Sequence, residues 1–195
     1  MKILFLGYNS KETEIINFLK KRKHIIKQTK KKVTYKIVKD FDIIISFGYK
    51  YKISSHILNK FKKNIINLHI SYLPWNKGAD PNFWSFFDNT PKGITIHKID
   101  ENIDTGPILY QKKIKFMKNE DTFFLTYKRL ITEIEKLFFQ NYKNILSNKF
   151  NINKQDSMQG TKHFSHQLPK FPRGWHANID NTIKKLKKEK FWKKK

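Results

Sequence analysis

Three short apolar runs, each closed by a turn or a polar residue, limit what this chain can fold into. Lys2 to Leu6 reads KILFL before Gly7, Phe41 to Phe47 reads FDIIISF before Gly48, and Ile65 to Leu68 leads directly into His69. Runs this short and this apolar suit strands buried on both faces of a sheet. Between the first two, Ile15, Ile16 and Leu19 recur at helical spacing. That helix is expected to take Asn9 or Ser10 as cap, with Glu12 near its start, and to end in the basic run Lys20 to Lys23. Ser54 or Ser55 can cap a further short helix reaching about Lys62. Strand, helix, strand, helix, strand argues an α/β fold: a mainly parallel, twisted sheet with helices on both faces.

Residues 24–40 are less patterned, although Val33, Tyr35 and Ile37 alternate as a short strand would. Asp80-Pro81 reads as a helix start, with Asp as cap and Pro in the first turn. Gly93 to His97 and Ile108 to Phe116 read as two more strands, antiparallel to each other. Asp121 is expected to open the longest helix, whose apolar face (Phe123, Tyr127, Leu130, Ile134, Phe138) runs to about Ser147. From Asn148 the composition changes, and Gly160, Pro169, Pro172 and Gly174 mark a loop-rich segment. The chain therefore divides into a domain over 1–147 and an extension over 148–195, ending in a short helix and a Lys-rich tail from Lys184.

The net charge of +25, from 41 Lys+Arg against 16 Asp+Glu, raises the question of a nucleic-acid partner. Base readout and bidentate phosphate contacts favour Arg, yet Arg22, Arg129 and Arg173 are the only arginines. The lysines read as a global composition bias, and their field serves an anionic small substrate at least as well. Absence of cysteine excludes disulfides and thiolate-bound metals. The His residues show no H-x-x-x-H spacing, so no metal site is expected. No apolar run is long enough to span a bilayer, and the apolar part of MKILFLGYNS is short for a secretory signal. A cytoplasmic protein without membrane contact is expected.

The chemistry-bearing residues cluster late. Gly7-Tyr8-Asn9-Ser10 occupies the place of a phosphate loop, but it is neither G-x-G-x-x-G nor a P-loop and reads as a plain turn. Asn67 and His69, two apart, share one face of an extended chain. They sit at the C-terminal end of a strand, where open α/β sheets place their sites. An amide donor beside an imidazole suits a reaction that develops an oxyanion while a proton moves. The same pair would also serve to end a strand and hold a loop. Asp104, before Thr105-Gly106-Pro107, reads either as a third member or as a turn residue. Asp100 and Glu101 read as solvated loop on spacing alone, and His97 as structural.

The pattern Asn67-x-His69-x-Ser71-x-Leu73-Pro74, then Gly78, then Asp104-x-Gly106-Pro107, resembles the catalytic core of the folate-dependent formyltransferases. The resemblance covers about residues 1 to 147 and is strongest over 41 to 111. It implies a shortened Rossmann-like formyltransferase fold. It also implies a one-carbon transferase with 10-formyltetrahydrofolate as co-substrate, an amine as acceptor and no metal. By resemblance, Asn67, His69 and Asp104 form the catalytic trio. Gly48, Tyr49, Lys50, Tyr51 and Ile53 fall on one folate loop, and Asp100, Glu101, Asn102 and Ile103 on the other. For Tyr49 and Tyr51 an exposed loop with incidental aromatics stays open beside this.

Two departures stand out. The lead-in to Asn67 is short, as if a strand-helix unit were missing, and the glycine-rich phosphate loop of the glycinamide ribonucleotide enzymes is absent. The segment after Ser147 is short for the C-terminal domain of the methionyl-tRNA enzymes, although the charge would suit tRNA. The runs Gly78 to Trp84 and Gly93 to His97, with Gly160-Thr161 and Gly174-Trp175, look most like the amino-sugar branch. The expected acceptor is accordingly an anionic amino-sugar nucleotide. The alternatives are methionyl-tRNA-type formylation and a non-catalytic, basic RNA-binding derivative of the fold. A homodimer is compatible with all three.

Overall fold

The computed structural model describes residues 1–156 and 158–189. Its centre is a six-stranded sheet in the order β2-β1-β3-β4-β6-β7. The strands are β1 (Lys2–Gly7), β2 (Ile25–Thr29), β3 (Ile43–Phe47), β4 (Asn64–His69), β6 (Gly93–Lys98) and β7 (Ile108–Lys113). The first four run parallel, and β6 and β7 are each antiparallel to their neighbour. β1 and β3 are buried almost throughout, as their unbroken apolar runs require.

Helices cover both faces. Ile3, Phe5, Ile45, Ile66, Leu68, Ile94 and Ile96 pack against α1 (Ile15–Lys21) and α5 (Phe123–Leu146). Leu4, Leu6, Ile44 and Ile65 face the other way, against Val38 of α2 (Tyr35–Val38) and Ile57 of α3 (Ser55–Lys60). A third apolar cluster joins Phe83 and Trp84 of α4 (Pro81–Phe87) to Phe123 and to Ile179 and Leu186 of α6 (Ile179–Lys188). Trp84 is thus a core residue. No helix among the described residues is long and apolar enough to cross a membrane.

Several local expectations change. The strand between α1 and β3 is Ile25–Thr29, and Val33, Tyr35 and Ile37 do not form one: Tyr35 and Ile37 lie in the single turn of α2. β2 pairs in parallel with β1, so a strand and the single turn of α2 stand between α1 and β3. Asn9 and Ser10 do not cap α1, which begins at Ile15. Instead Asn9 Oδ1 accepts the Lys11 N–H and the Glu12 carboxylate accepts the Asn9 N–H, closing a turn ahead of the helix. Asp80 precedes α4 in the left-handed region, φ 51°, and makes no side-chain cap bond. Thr122, not Asp121, caps α5 by accepting the Leu125 N–H. Asp121 anchors α6 by accepting from Asn178 Nδ2 and from the Ile179 N–H. β7 stops at Lys113, short of Phe116.

The segment after α5 returns to the sheet. Asn153 bridges Ile108 through both backbone groups, and β8 (Lys162–His163) pairs in parallel with β5 (Lys77–Gly78). A small pair of strands thereby joins the loop after β4 to the C-terminal segment. The last stretch of the Lys-rich tail, residues 190–195, lies outside the described residues.

Candidate active site

β4 and β6 bring the polar residues together through register. Asn67 and His69 are two apart on β4 and share a face. In the antiparallel ladder Asn67 lies directly opposite His97 of β6, and opposed residues present their side chains on the same face. Asn67 Nδ2 consequently lies 3.2 Å from His97 Nε2. The loop between β6 and β7 then carries Asp104 back over the pair, and Asn67 Nδ2 donates to Asp104 Oδ1 at 3.1 Å.

Asp104 is the hub of the cluster. Oδ2 accepts the backbone N–H of Gly78 at 2.8 Å and lies 3.6 Å from His69 Nδ1, while Oδ1 lies 3.4 Å from His97 Nε2. Burial alone would raise its carboxyl, but facing His69, hydrogen-bonding to His97 and the Gly78 N–H reverse this and hold it well below the usual carboxylate range. Asp104 has φ 54° and Gly78 φ 89°. A Cβ on Gly78 would meet the His163 carbonyl oxygen at 2.2 Å, so only glycine admits the close approach of β8.

His69 is buried and its two ring nitrogens differ. Nε2 lies 3.0 Å from the carbonyl oxygen of Asn76. A carbonyl only accepts, so Nε2 carries a hydrogen. Nδ1 faces Asp104 across a gap longer than an ordinary N–H···O bond and is the nitrogen left for chemistry. Asn76 is fully buried with φ 55°. It is held by Thr90, which accepts from its Nδ2 at 2.8 Å, and by Thr161, which accepts its N–H at 2.9 Å and donates to its Oδ1 at 3.1 Å. The Asp104 loop is tied down from the same C-terminal segment, where Gln155 Nε2 donates to the carbonyls of Asp104 (2.9 Å) and Gly106 (2.8 Å).

The cluster lines a cleft of about 1120 Å³. Of the residues expected to bind folate, Gly48, Tyr49, Lys50, Tyr51, Ile53, Asp100, Asn102 and Ile103 line it. Glu101 does not: it is exposed at the turn of its loop, away from the cleft. Tyr49 is not an incidental loop aromatic, because its hydroxyl donates to the Lys31 carbonyl and accepts the Val33 N–H, and its ring meets Tyr51 edge-on. Tyr8 lines the cleft from the turn after β1, 2.5 Å from the hydroxyl of Tyr127 on α5; burial pushes its phenol up.

Five contributors were given no role at the site from sequence: His97, read as structural, Gly78 and Thr161, which entered only as positions of a resemblance, and Asn76 and Gln155, which did not enter at all. The spacing His97 to Asp104 is the one signal that could have flagged the first. Backbone groups leave no signal at all.

The family model for formyl transferases matches residues 18–141. The chain belongs to the formyl transferase family. Similar proteins include the methionyl-tRNA formyltransferase of Pelagibacter ubique, 32% identical over 164 residues, covering 83% of this chain and 52% of that protein. The GDP-perosamine N-formyltransferase of Brucella melitensis is 33% identical over 99 residues, 50% of this chain and 38% of that protein. The chain thus spans about half the length, or less, of these curated relatives. Among solved structures, the formyltransferase PseJ from Anoxybacillus kamchatkensis, in complex with UDP-4,6-dideoxy-4-formamido-L-AltNAc and tetrahydrofolate, is 40% identical. It superposes with a TM-score of 0.83, covering 92% of this chain and 96% of PseJ.

Proposed function

We propose that this protein transfers a formyl group from 10-formyltetrahydrofolate to the amino group of an amino-sugar nucleotide. The observation that carries the reading is the cluster of Asn67, His69 and Asp104 around one carboxylate at the floor of a cleft large enough for two substrates. The likeness to PseJ along nearly the whole chain supports the sugar-nucleotide acceptor over a tRNA.

The folate donor fits the chain's own groups. Residues of both loops, Gly48 to Ile53 and Asp100, Asn102 and Ile103, line the cleft, and Ile53 is buried. When bound, the donor supplies an N-linked formyl carbon open to attack by an unprotonated amine. The protein's task is then to stabilise negative charge on the formyl oxygen and to move one proton from the amine to the folate nitrogen.

Asn67 gives one N–H to Asp104 Oδ1, which orients the amide, and its second N–H, 3.2 Å from His97 Nε2, is the donor that a formyl oxygen would take. His69 contributes Nδ1, which takes or holds the proton while Nε2 stays anchored on Asn76. Asp104, ionised, lies 3.6 Å from Nδ1, beside the charge that develops on the ring when Nδ1 takes a proton. Both substrates are soluble metabolites, and the reaction is read as cytoplasmic.

The test is incubation with 10-formyltetrahydrofolate and a panel of UDP-, dTDP- and GDP-linked amino sugars, following release of tetrahydrofolate. Charged initiator tRNA serves as the competing acceptor. His69→Ala is expected to keep the fold and to lower kcat by about 100- to 10,000-fold. Transfer to the tRNA and to no sugar would replace the acceptor assignment, and unimpaired turnover by His69→Ala would remove the mechanism.

A further inference from the structure

The family match ends at residue 141, yet the cleft is also lined by residues well beyond it, including His163, Phe164, His166 and Trp175. The C-terminal segment is therefore part of the site and not an appendage. Its contribution is aromatic and open. Phe164 and Trp175 each keep 43% of their surface exposed, and Phe124, on the first turn of α5, keeps 38%. Large apolar rings left open inside a cleft are a ready stacking surface for a flat ligand.

Trp175 is backed by aromatic rings, and Phe164 and Phe124 each pair with a neighbouring side chain. Trp175 sits steeply against Phe123, at 6.3 Å and 80°, and against Phe171, at 5.7 Å and 75°. Phe123 and Phe171 belong with Phe83 to the cluster that anchors α4 and α6. Phe164 stacks on His166 at 5.8 Å and 9°, with Lys162 Nζ 5.1 Å from its ring centre. Phe124 packs against His176 at 4.6 Å. A ring buttressed from behind and exposed in front is pre-organised to bind without ordering cost.

Resting on the acceptor class given under Proposed function, we infer that Phe164 and Trp175 of the C-terminal segment, with Phe124, form the platform on which the base of the acceptor nucleotide stacks. The argument is one of occupancy. Under Proposed function the loops at Gly48 to Ile53 and Asp100 to Ile103 are given to the folate, and the trio takes the reacting atoms. The wall built by α5 and the C-terminal segment is left for the remainder of the acceptor. Of that remainder only the nucleobase is flat and apolar, and stacking on an aromatic face accepts any base. Affinity for a nucleotide-linked acceptor thereby resides in large part in a segment that the family match does not include.

The experiment measures binding of UDP, dTDP and GDP by calorimetry, with inorganic pyrophosphate as the base-free probe. The full chain, Trp175→Ala, Phe164→Ala and Trp175→Phe are compared, together with KM for each substrate in formyl transfer. Losing a stacking partner should weaken nucleotide binding and raise the acceptor KM by about five- to a hundredfold. Pyrophosphate binding and the KM for 10-formyltetrahydrofolate should not move, and Trp175→Phe should retain most of the affinity. Phe164→Ala covers the case in which Trp175→Ala unfolds, since Phe164 supports no buried cluster. Wild-type nucleotide affinity in folded Phe164→Ala and Trp175→Ala, or in Phe164→Ala alone where Trp175→Ala does not fold, with formyl transfer to a sugar nucleotide intact, overturns the platform and leaves the activity standing. Failure of the wild-type chain to formylate any sugar nucleotide overturns both.

Discussion

Thr161→Val isolates the support of His69 without touching the trio. Threonine and valine share a shape, so the change removes one hydroxyl and little else. That hydroxyl accepts the Asn76 N–H at 2.9 Å and donates to Asn76 Oδ1 at 3.1 Å. Asn76 is fully buried, so both groups lose their partner where water is scarce. A buried polar group left unpaired costs about 1–3 kcal/mol. Two such groups, one of them beside the half-buried Thr161 where solvent can partly substitute, give about 2–3 kcal/mol. At about 2–4 °C per kcal/mol for a chain of this size, Tm should fall by about 4–12 °C. The Asn76 carbonyl also anchors His69 Nε2 at 3.0 Å. A shift of the ring by a fraction of an ångström should lower kcat by about 10- to 100-fold, with the KM for the folate donor nearly unchanged. Thermal unfolding and steady-state formyl transfer read the two effects. Thr161→Ser keeps the hydroxyl and should restore both. If Thr161→Val matches the wild type in Tm and kcat, or if the serine variant does no better than valine, Asn76 does not position His69 through Thr161.

Two further outcomes concern charge. Because the folded Asp104 carboxyl lies below its unfolded value of about 3.9, its contribution to stability is complete above that pH and is lost as pH falls through the folded value. The stability gap between wild type and Asp104→Asn, from urea unfolding, should therefore be flat from pH 7 to about 5 and shrink below about 4; a gap constant down to pH 3 would contradict the assignment. Glu133 on α5 accepts from Lys112 of β7 at 2.7 Å and lies 3.5 Å from Arg129 and from Lys136, which holds its carboxyl low through the Lys112 bond first. Its partners are exposed, so Glu133→Gln should cost only about 0.5–1 kcal/mol, and less still in 1 M salt. An equal loss at both ionic strengths would mean that packing, not charge, is what the substitution disturbs.

How far the chain could be read depended on burial. β1, β3 and β4 are apolar on both faces and stood out at once, and α5 carried its stripe over 24 residues. β2 escaped because it is an edge strand: Ile25 is 64% exposed and Lys27 and Gln28 break any pattern. β5 and β8 are two residues each, below any periodic signal. Within the site, Asn67 and His69 were legible from the period of a strand, and Asp104 from its place in the motif. His97 was assigned to structure because its partnership with Asn67 depends on the pairing register of two strands 30 residues apart. Thr161 and Asn76 are 85 residues apart in the chain, and nothing local in either marks the contact.

The pairing of Asn67 with His97 across β4 and β6 has a consequence for how such a protein can vary over evolutionary time. Strand registry behaves here as a reading frame. A single-residue insertion or deletion inside either strand would turn a polar group toward the apolar side under α1 and α5 and an apolar one toward the substrates, so one event would damage core and chemistry together. The segment that follows β4 shares the constraint, since Leu73 is buried, donates its N–H to Thr95 and accepts from Gln111. Functional homologues should therefore show no length differences inside the two strands.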